Sequence, residues 1–226
     1  GNIVISYQDQ YPRSYYQVYN AQTNPNGYAT ENERSTREWL LLKNAIEFIE
    51  DQVPNNLNID ADNDGNVDNV TFLVYGSPAA WSDLLWPHRW VLWGENAFIN
   101  GKRVWDYNFN LATGGYFTVG TLCHEFNHSL GAPDLYHYES NGSPTACGGW
   151  DVMDGSSNTP QYMGAWMKHK YGNWIECPEI YQLGIYPLLP LQFQETSCYK
   201  INSPNSTNEF FIIEYRNKEG IYEINT

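Results

Sequence analysis

Cations are scarce in this chain. Of its 226 residues only 12 are Lys or Arg, against 26 Asp or Glu, for a net charge of −14. A nucleic-acid surface needs Lys and Arg to displace counterions from phosphates, so this composition argues against such a partner. Long apolar runs are missing too, and with them any helical membrane span. The four cysteines (Cys123, Cys147, Cys177, Cys198) include no Cys-x-x-Cys pair, which argues against a cysteine zinc knot. Cys123 reads as a buried thiol. Cys177 and Cys198 flank two expected strands. They are either bridged or free, because spacing alone does not fix connectivity. Repeats and low-complexity segments are absent, as are an initiator Met and a signal peptide. Gly1 reads as a processing scar, and the chain as a mature form or an excised piece.

What is abundant is uncharged polarity and aromatic area: aromatics make up 16% of the chain, with 18 Tyr and 9 Trp. Such a surface suits a secreted protein, or one held at the cell surface, and its acidity suits calcium. A strand is expected over Ile3–Tyr7. A helix is expected from Glu33 to about Val53, with Trp39, Leu42, Ile46 and Ile49 at core spacing and Pro54 ending it. Asn69–Gly76 reads as a buried strand, and short strands are expected around Arg103–Phe109. Among Trp81, Trp86, Trp90, Trp93 and Trp105, several are expected in the core; a saccharide platform is the other reading. Gly114-Gly115 marks a turn before a helix over Thr118–Leu130, stopped by Gly131. Thr159-Pro160 is expected to open a last helix ending near Gly172, followed by short strands. The order implies an α+β (mixed α/β) fold. It is read as one domain over 1–226, with an upper part, 1–130, and a lower part, 131–226.

The chemistry concentrates in HEFNHSLGAPD, residues 124–134. Residues four apart share a helix face, so His124 and His128 can aim two imidazoles at one zinc ion. Glu125 then sits where a carboxylate takes a proton from water that the metal acidifies. Gly131 and Pro133 end the helix and turn the chain, returning the Asp134 carboxylate as a third ligand. His137 competes for that corner. Val119, Leu122, Phe126 and Leu130 are expected to pack the opposite face. Met153, in GGWDVMDG, reads as ordinary core or as an apolar floor under the metal.

The acidic loop DADNDGNVD sets Asp60, Asp62, Asp64 and Asp68 at alternate or nearly alternate positions. Gly65 supplies the sharp turn and Asn66 a backbone carbonyl. It reads as a short structural calcium loop, the alternative being a solvated acidic turn. His88, in WPHRW, is a packed core histidine or a cleft group. Tyr162 is a weaker candidate, as an oxyanion donor.

HEFNHSLGAPDLY, GGWDVMDG, WPHRW and the acidic loop running into NVTFLVYG occur in an order that resembles the immune inhibitor A-like metallopeptidases, secreted bacterial zinc endopeptidases. The resemblance is good over about residues 55–175. It implies a zincin-like fold with an active-site helix, a twisted sheet and a Met-containing turn. It further implies His124, His128 and Asp134 as zinc ligands, Glu125 as general base and acid, and Met153 in the turn. Asn127 departs from the family's usual small residue and His137 from its frequent Asp. Against that pattern both termini read as clipped. The expected activity is hydrolysis of protein or peptide substrates. A calcium-dependent protein- or glycan-binding module and a zinc amidase are the alternatives.

Overall fold

A computed structural model of the chain describes residues 4–80, 83–113, 115–139, 142–193 and 196–223. Ile3, Trp81 and Gly114, which figure in the expectations above, lie outside the described residues. The fold mixes helix and sheet in the α+β manner. The chain divides into two compact units, Gly1–Phe117 and Thr118–Thr226. The HExxH helix falls with the residues that follow it.

In the first unit, helix α1 spans Glu31–Ile49. Thr30 caps it, its Oγ1 accepting from the Glu33 N–H at 3.2 Å. The Glu33 carboxylate reaches back to the Ala29 N–H at 2.7 Å, so the first turn's free N–H groups are met from both sides. Leu41, Leu42 and Ile46 are buried, and Trp39 and Ile49 pack against that cluster. A 3-10 turn, Glu50–Gln52, ends the helix just before Pro54.

Two small sheets accompany α1. Strand β1 (Asn66–Val67), strand β4 (Phe98–Ile99) and strand β5 (Lys102–Val104) form one, in the order β1-β5-β4. Strand β2 (Val70–Val74), strand β3 (His88–Val91) and strand β6 (Asp106–Leu111) form the other, in the order β2-β6-β3, with β6 parallel to β2 and antiparallel to β3. All of β6 is buried. The expectation of a buried strand at Asn69–Gly76 needs correction: β2 is an edge strand, and Leu73 on its outer face is 50% exposed. The tryptophans are corrected as well. Trp90 and Trp93 are exposed, Trp86 and Trp105 only half-buried, and Leu84, Leu85 and Leu92 fill the core instead. Residues Val4–Tyr7 form no strand, because no segment pairs with them among the described residues.

A buried charge pair fastens α1 to the second sheet. Glu38, 4% exposed, accepts from His88 Nε2 at 2.9 Å and from the Tyr107 hydroxyl. His88 Nδ1 lies 2.6 Å from the Trp86 carbonyl. A carbonyl oxygen only accepts, so Nδ1 bears a proton, and a second proton on Nε2 makes the contact with Glu38 an ion pair. Burial opposes the Glu38 charge, but His88 and the Tyr107 hydroxyl outweigh it and lower the Glu38 pKa.

The second unit, described by itself, contains helix α2 (Val119–Ser129), a short helix α3 (Ala165–Met167) that runs on as a π-turn to Gly172, and a hairpin of strand β7 (Cys198–Asn202) and strand β8 (Phe210–Glu214). The last helix begins five residues later than Pro160 predicts. Its first N–H groups are met by carboxylates from elsewhere in the unit, Gly164 N–H by Asp151 Oδ2 at 2.6 Å and Ala165 N–H by Glu214 Oε2 at 2.5 Å. Asn173, in the left-handed region, ends the turn.

A group whose folded pKa is depressed contributes stability above its unfolded value and loses it as pH falls. The Glu38 contribution should therefore fade below its ordinary value of 4.5. Glu38→Ala, which strands His88 and Tyr107, should cost about 2–4 kcal/mol at pH 7 in urea unfolding. Glu38→Gln should lose less, and should flatten the acid limb of the stability curve.

Candidate metal centre

Helix α2 supplies two donors on one face. Thr118 caps it through Oγ1, which accepts from the Thr121 N–H at 3.0 Å. The His124 and His128 rings stand 4.8 Å apart, almost perpendicular. Gly120 lets the segment after the Met153 turn lie against this helix, since a Cβ there would sit 2.0 Å from the Ser157 carbonyl oxygen.

The helix stops in a Schellman arrangement. The Gly131 N–H donates to the His128 carbonyl at 2.9 Å and the Ala132 N–H to the Asn127 carbonyl at 3.1 Å. Gly131 has φ +89°, a conformation that costs other residues about 1–2 kcal/mol. The reversal buries Ala132 and returns Asp134 to the histidines. Asp134 Oδ1 lies 2.9 Å from His124 Nε2 and 3.2 Å from His128 Nε2. His137 does not share this corner: it is exposed, with Nε2 3.0 Å from the Pro144 carbonyl.

Both imidazoles are oriented from behind by backbone. His124 Nδ1 sits 2.8 Å from the Val152 carbonyl, and His128 Nδ1 2.7 Å from the Ala132 carbonyl. Those oxygens can only accept, so each Nδ1 bears the proton. With Nε2 deprotonated, as metal binding requires, the rings would present lone pairs toward the same point as Asp134 Oδ1, a buried atom that no other hydrogen-bond donor meets among the described residues. Three electron-pair donors thus face one point. Around a tetrahedral zinc with ligands at about 2.0–2.1 Å, donors stand roughly 3.3 Å apart, close to the spacing here. The donor set fits a zinc ion.

Without a metal, protons do the same work. Burial disfavours imidazolium at both histidines. Asp134 together with the two carbonyls more than offsets it, and both pKa values are raised. Burial likewise disfavours the Asp134 charge, yet the two rings and the Tyr138 hydroxyl, which donates to Oδ2, hold its carboxyl far below the usual range. Burial and the Asp134 carboxylate push up the Tyr136 hydroxyl pKa, with a smaller contribution from Glu125; the Tyr136 ring stacks on His124.

Glu125 is buried, and its charge bears on both His124 and Tyr136. Met153 is fully buried among Ala132, Val152, Met163 and Met167. Its N–H donates to Asp151 Oδ1 at 2.8 Å, and its carbonyl accepts from the Leu135 N–H at 2.9 Å. The turn is thus stitched to the residue after Asp134. The expected apolar face of α2 needs correction: Val119, Phe126 and Leu130 are exposed, while the His124, Glu125 and Asn127 side is buried against the turn's unit. Tyr162 lies under the Lys168 ammonium and beside Tyr222. His88 belongs to the Glu38 pair described above. His169 is part-buried, with Nδ1 3.0 Å from the Ile175 carbonyl.

In the first unit, the acidic loop brings one oxygen each of Asp60, Asp62 and Asp68 within 4.8 Å of one another. Asp64 is not in that group; its carboxylate accepts from the Asn66 N–H at 2.7 Å and from the Asn66 side-chain amide at 2.9 Å. Asp60 Oδ2 accepts from Lys102 Nζ at 2.6 Å, which lowers the Asp60 pKa. Asp60 Oδ1 is buried with no hydrogen-bond partner among the described residues. A further cation fits that oxygen. Lys102 was invisible to motif reading because it reaches the loop from β5, 42 residues away in sequence.

The sequence is similar to immune inhibitor A of Bacillus thuringiensis subsp. alesti, at 27% identity over 121 aligned positions that cover 43% of this chain and 17% of that protein. This supports a distant relationship. No family model matches the chain.

A histidine whose folded pKa is raised stabilises below its unfolded value and loses that contribution as pH rises through the folded one; a depressed aspartate does the reverse. The metal-free triad should thus stabilise most between 3.8 and 6.5, the ordinary values of Asp and His. With excess chelator, thermal stability should fall as pH rises above about 6.5, and His128→Gln should shrink that fall.

Proposed function

We propose that this chain is a secreted, zinc-dependent endopeptidase of zincin-like architecture, with its centre at His124, His128 and Asp134. The observation that carries this reading is the convergence of three lone-pair donors on one point, each imidazole fixed by a backbone carbonyl, with Glu125 adjacent. The distant likeness to immune inhibitor A supports it, and the polar, aromatic composition supports secretion. Bound zinc supplies Lewis acidity, acidifying water to a pKa of about 7 and polarising a carbonyl.

The chain's own groups do the rest. The Val152 and Ala132 carbonyls keep both Nε2 atoms aimed forward. Tyr138 holds Oδ2 of Asp134, leaving Oδ1 as the ligand atom. Glu125 accepts the proton of the attacking water and delivers it to the departing amine of a protein or peptide substrate.

A binding module that uses exposed Trp90 and Trp93 for proteins or glycans is the second reading, favoured by their exposure. Such a module has no use for Glu125. Glu125→Gln should lower peptide hydrolysis at least about a hundredfold while zinc content by elemental analysis stays at one per chain. Chelation should abolish hydrolysis and zinc should restore it. Zinc-free protein, or unchanged turnover in Glu125→Gln, overturns the endopeptidase reading.

We further propose calcium as a structural ion at Asp60, Asp62 and Asp68. Millimolar calcium should raise the unfolding midpoint of the wild type by a few degrees and leave Asp68→Asn unmoved. Lys102→Ala, which removes the ammonium from Asp60 Oδ2, should tighten calcium binding in a calorimetric titration.

A further inference from the structure

All four cysteines are free thiols, but two of them are neighbours. Glu179 pairs with Lys200 in a parallel bridge. The Lys200 N–H donates to the Pro178 carbonyl at 3.0 Å, and the Ile180 N–H donates to the Lys200 carbonyl at 2.9 Å. Two residues back on each side stand Cys177 and Cys198. In extended chain these share register and face. Cys177 precedes Pro178, which favours the extended conformation. Adjacent strands run about 4.8 Å apart, inside the roughly 4.4–6.8 Å Cα range that a disulfide spans. The Cys198 thiol is hydrogen-bonded to Cys177 and, at 3.3 Å, to the Glu176 carbonyl. Both cysteines belong to the cluster of Ala165, Ile175, Leu191 and Ile212.

We propose that Cys177 and Cys198 form a thiol–disulfide site that closes by exchange with a low-molecular-weight disulfide such as glutathione disulfide. Cys177 is half-buried and Cys198 fully buried, which sets the order of events. The Cys177 thiolate attacks one sulfur of the reagent and expels one thiol, leaving a mixed disulfide. Cys198 then attacks the Cys177 sulfur and expels the second thiol. Two cysteine thiols are oxidised, one disulfide is reduced, and both protons leave on the released thiols.

The bridge would fasten the segment after α3 to β7. Strand β8, paired with β7, already holds the first turn of α3 through Glu214. The helical stretch from Ala165 to Gly172 would then be clamped at both ends.

The test uses the whole chain, reduced and then equilibrated with a glutathione redox pair. Non-reducing peptide mapping should find one linked pair of peptides, carrying Cys177 and Cys198, with a mass loss of about 2 Da. Cys123 and Cys147 should stay open to alkylation. The unfolding midpoint should rise by about 7 °C on oxidation, as closing a loop of about 20 residues predicts. Cys177→Ser, at the less buried position, should show neither the link nor the rise. Alkylation of Cys177 and Cys198 after equilibration, a link that includes Cys123 or Cys147, or a link without a stability gain overturns the proposal. Because the wild type is mapped directly, the test does not depend on the variant folding.

Discussion

Three lone pairs cannot share one buried point without something positive between them. That electrostatic demand at His124, His128 and Asp134 organises the second unit. Its supports are backbone groups: the Ala132 carbonyl behind one ring and the Val152 carbonyl behind the other. The Val152 carbonyl is held in place by the Asp151 turn, and that turn is held by the N–H of Leu135, next to the third donor. The donors and their supports thus form one closed set of hydrogen bonds, in which no member can shift alone.

The first unit meets a related demand with basic side chains. In a chain carrying −14, each buried carboxylate there has been assigned one: His88 for Glu38, Lys102 for Asp60, Arg89 for Asp106. These pairs lie far apart in sequence and close the unit around α1 and the central strand β6. Buried ion pairs gain little net free energy over apolar packing. Their value is specificity, since a wrong arrangement leaves a bare charge.

Legibility in the sequence followed periodicity and short range. Helices α1 and α2 were readable because apolar spacing, caps and stop signals all lie within a few residues of one another. The three donors of the candidate centre were readable for the same reason, all falling within 11 residues. What escaped was long-range or carried by backbone. The carbonyls of Val152 and Ala132 have no residue signature. The edge position of β2 depends on where β6 lies, which its own residues do not encode. The delayed start of α3 comes from carboxylates at positions 151 and 214, against a Thr-Pro pair that locally promises an earlier one. The buried face of α2 runs against its apolar pattern because a helix that presents polar donors inward turns its apolar residues outward.

The backbone of Ala132 serves two masters. Its N–H closes the end of α2 on Asn127, and its oxygen steadies the His128 ring. Terminating the helix and aiming the ligand are therefore a single structural event. The count of residues between His128 and Asp134 is then not adjustable: an insertion or deletion anywhere in that span would unseat cap, ring and carboxylate together. Engineering of this loop is confined to side chains that leave its length and the handedness of residue 131 untouched.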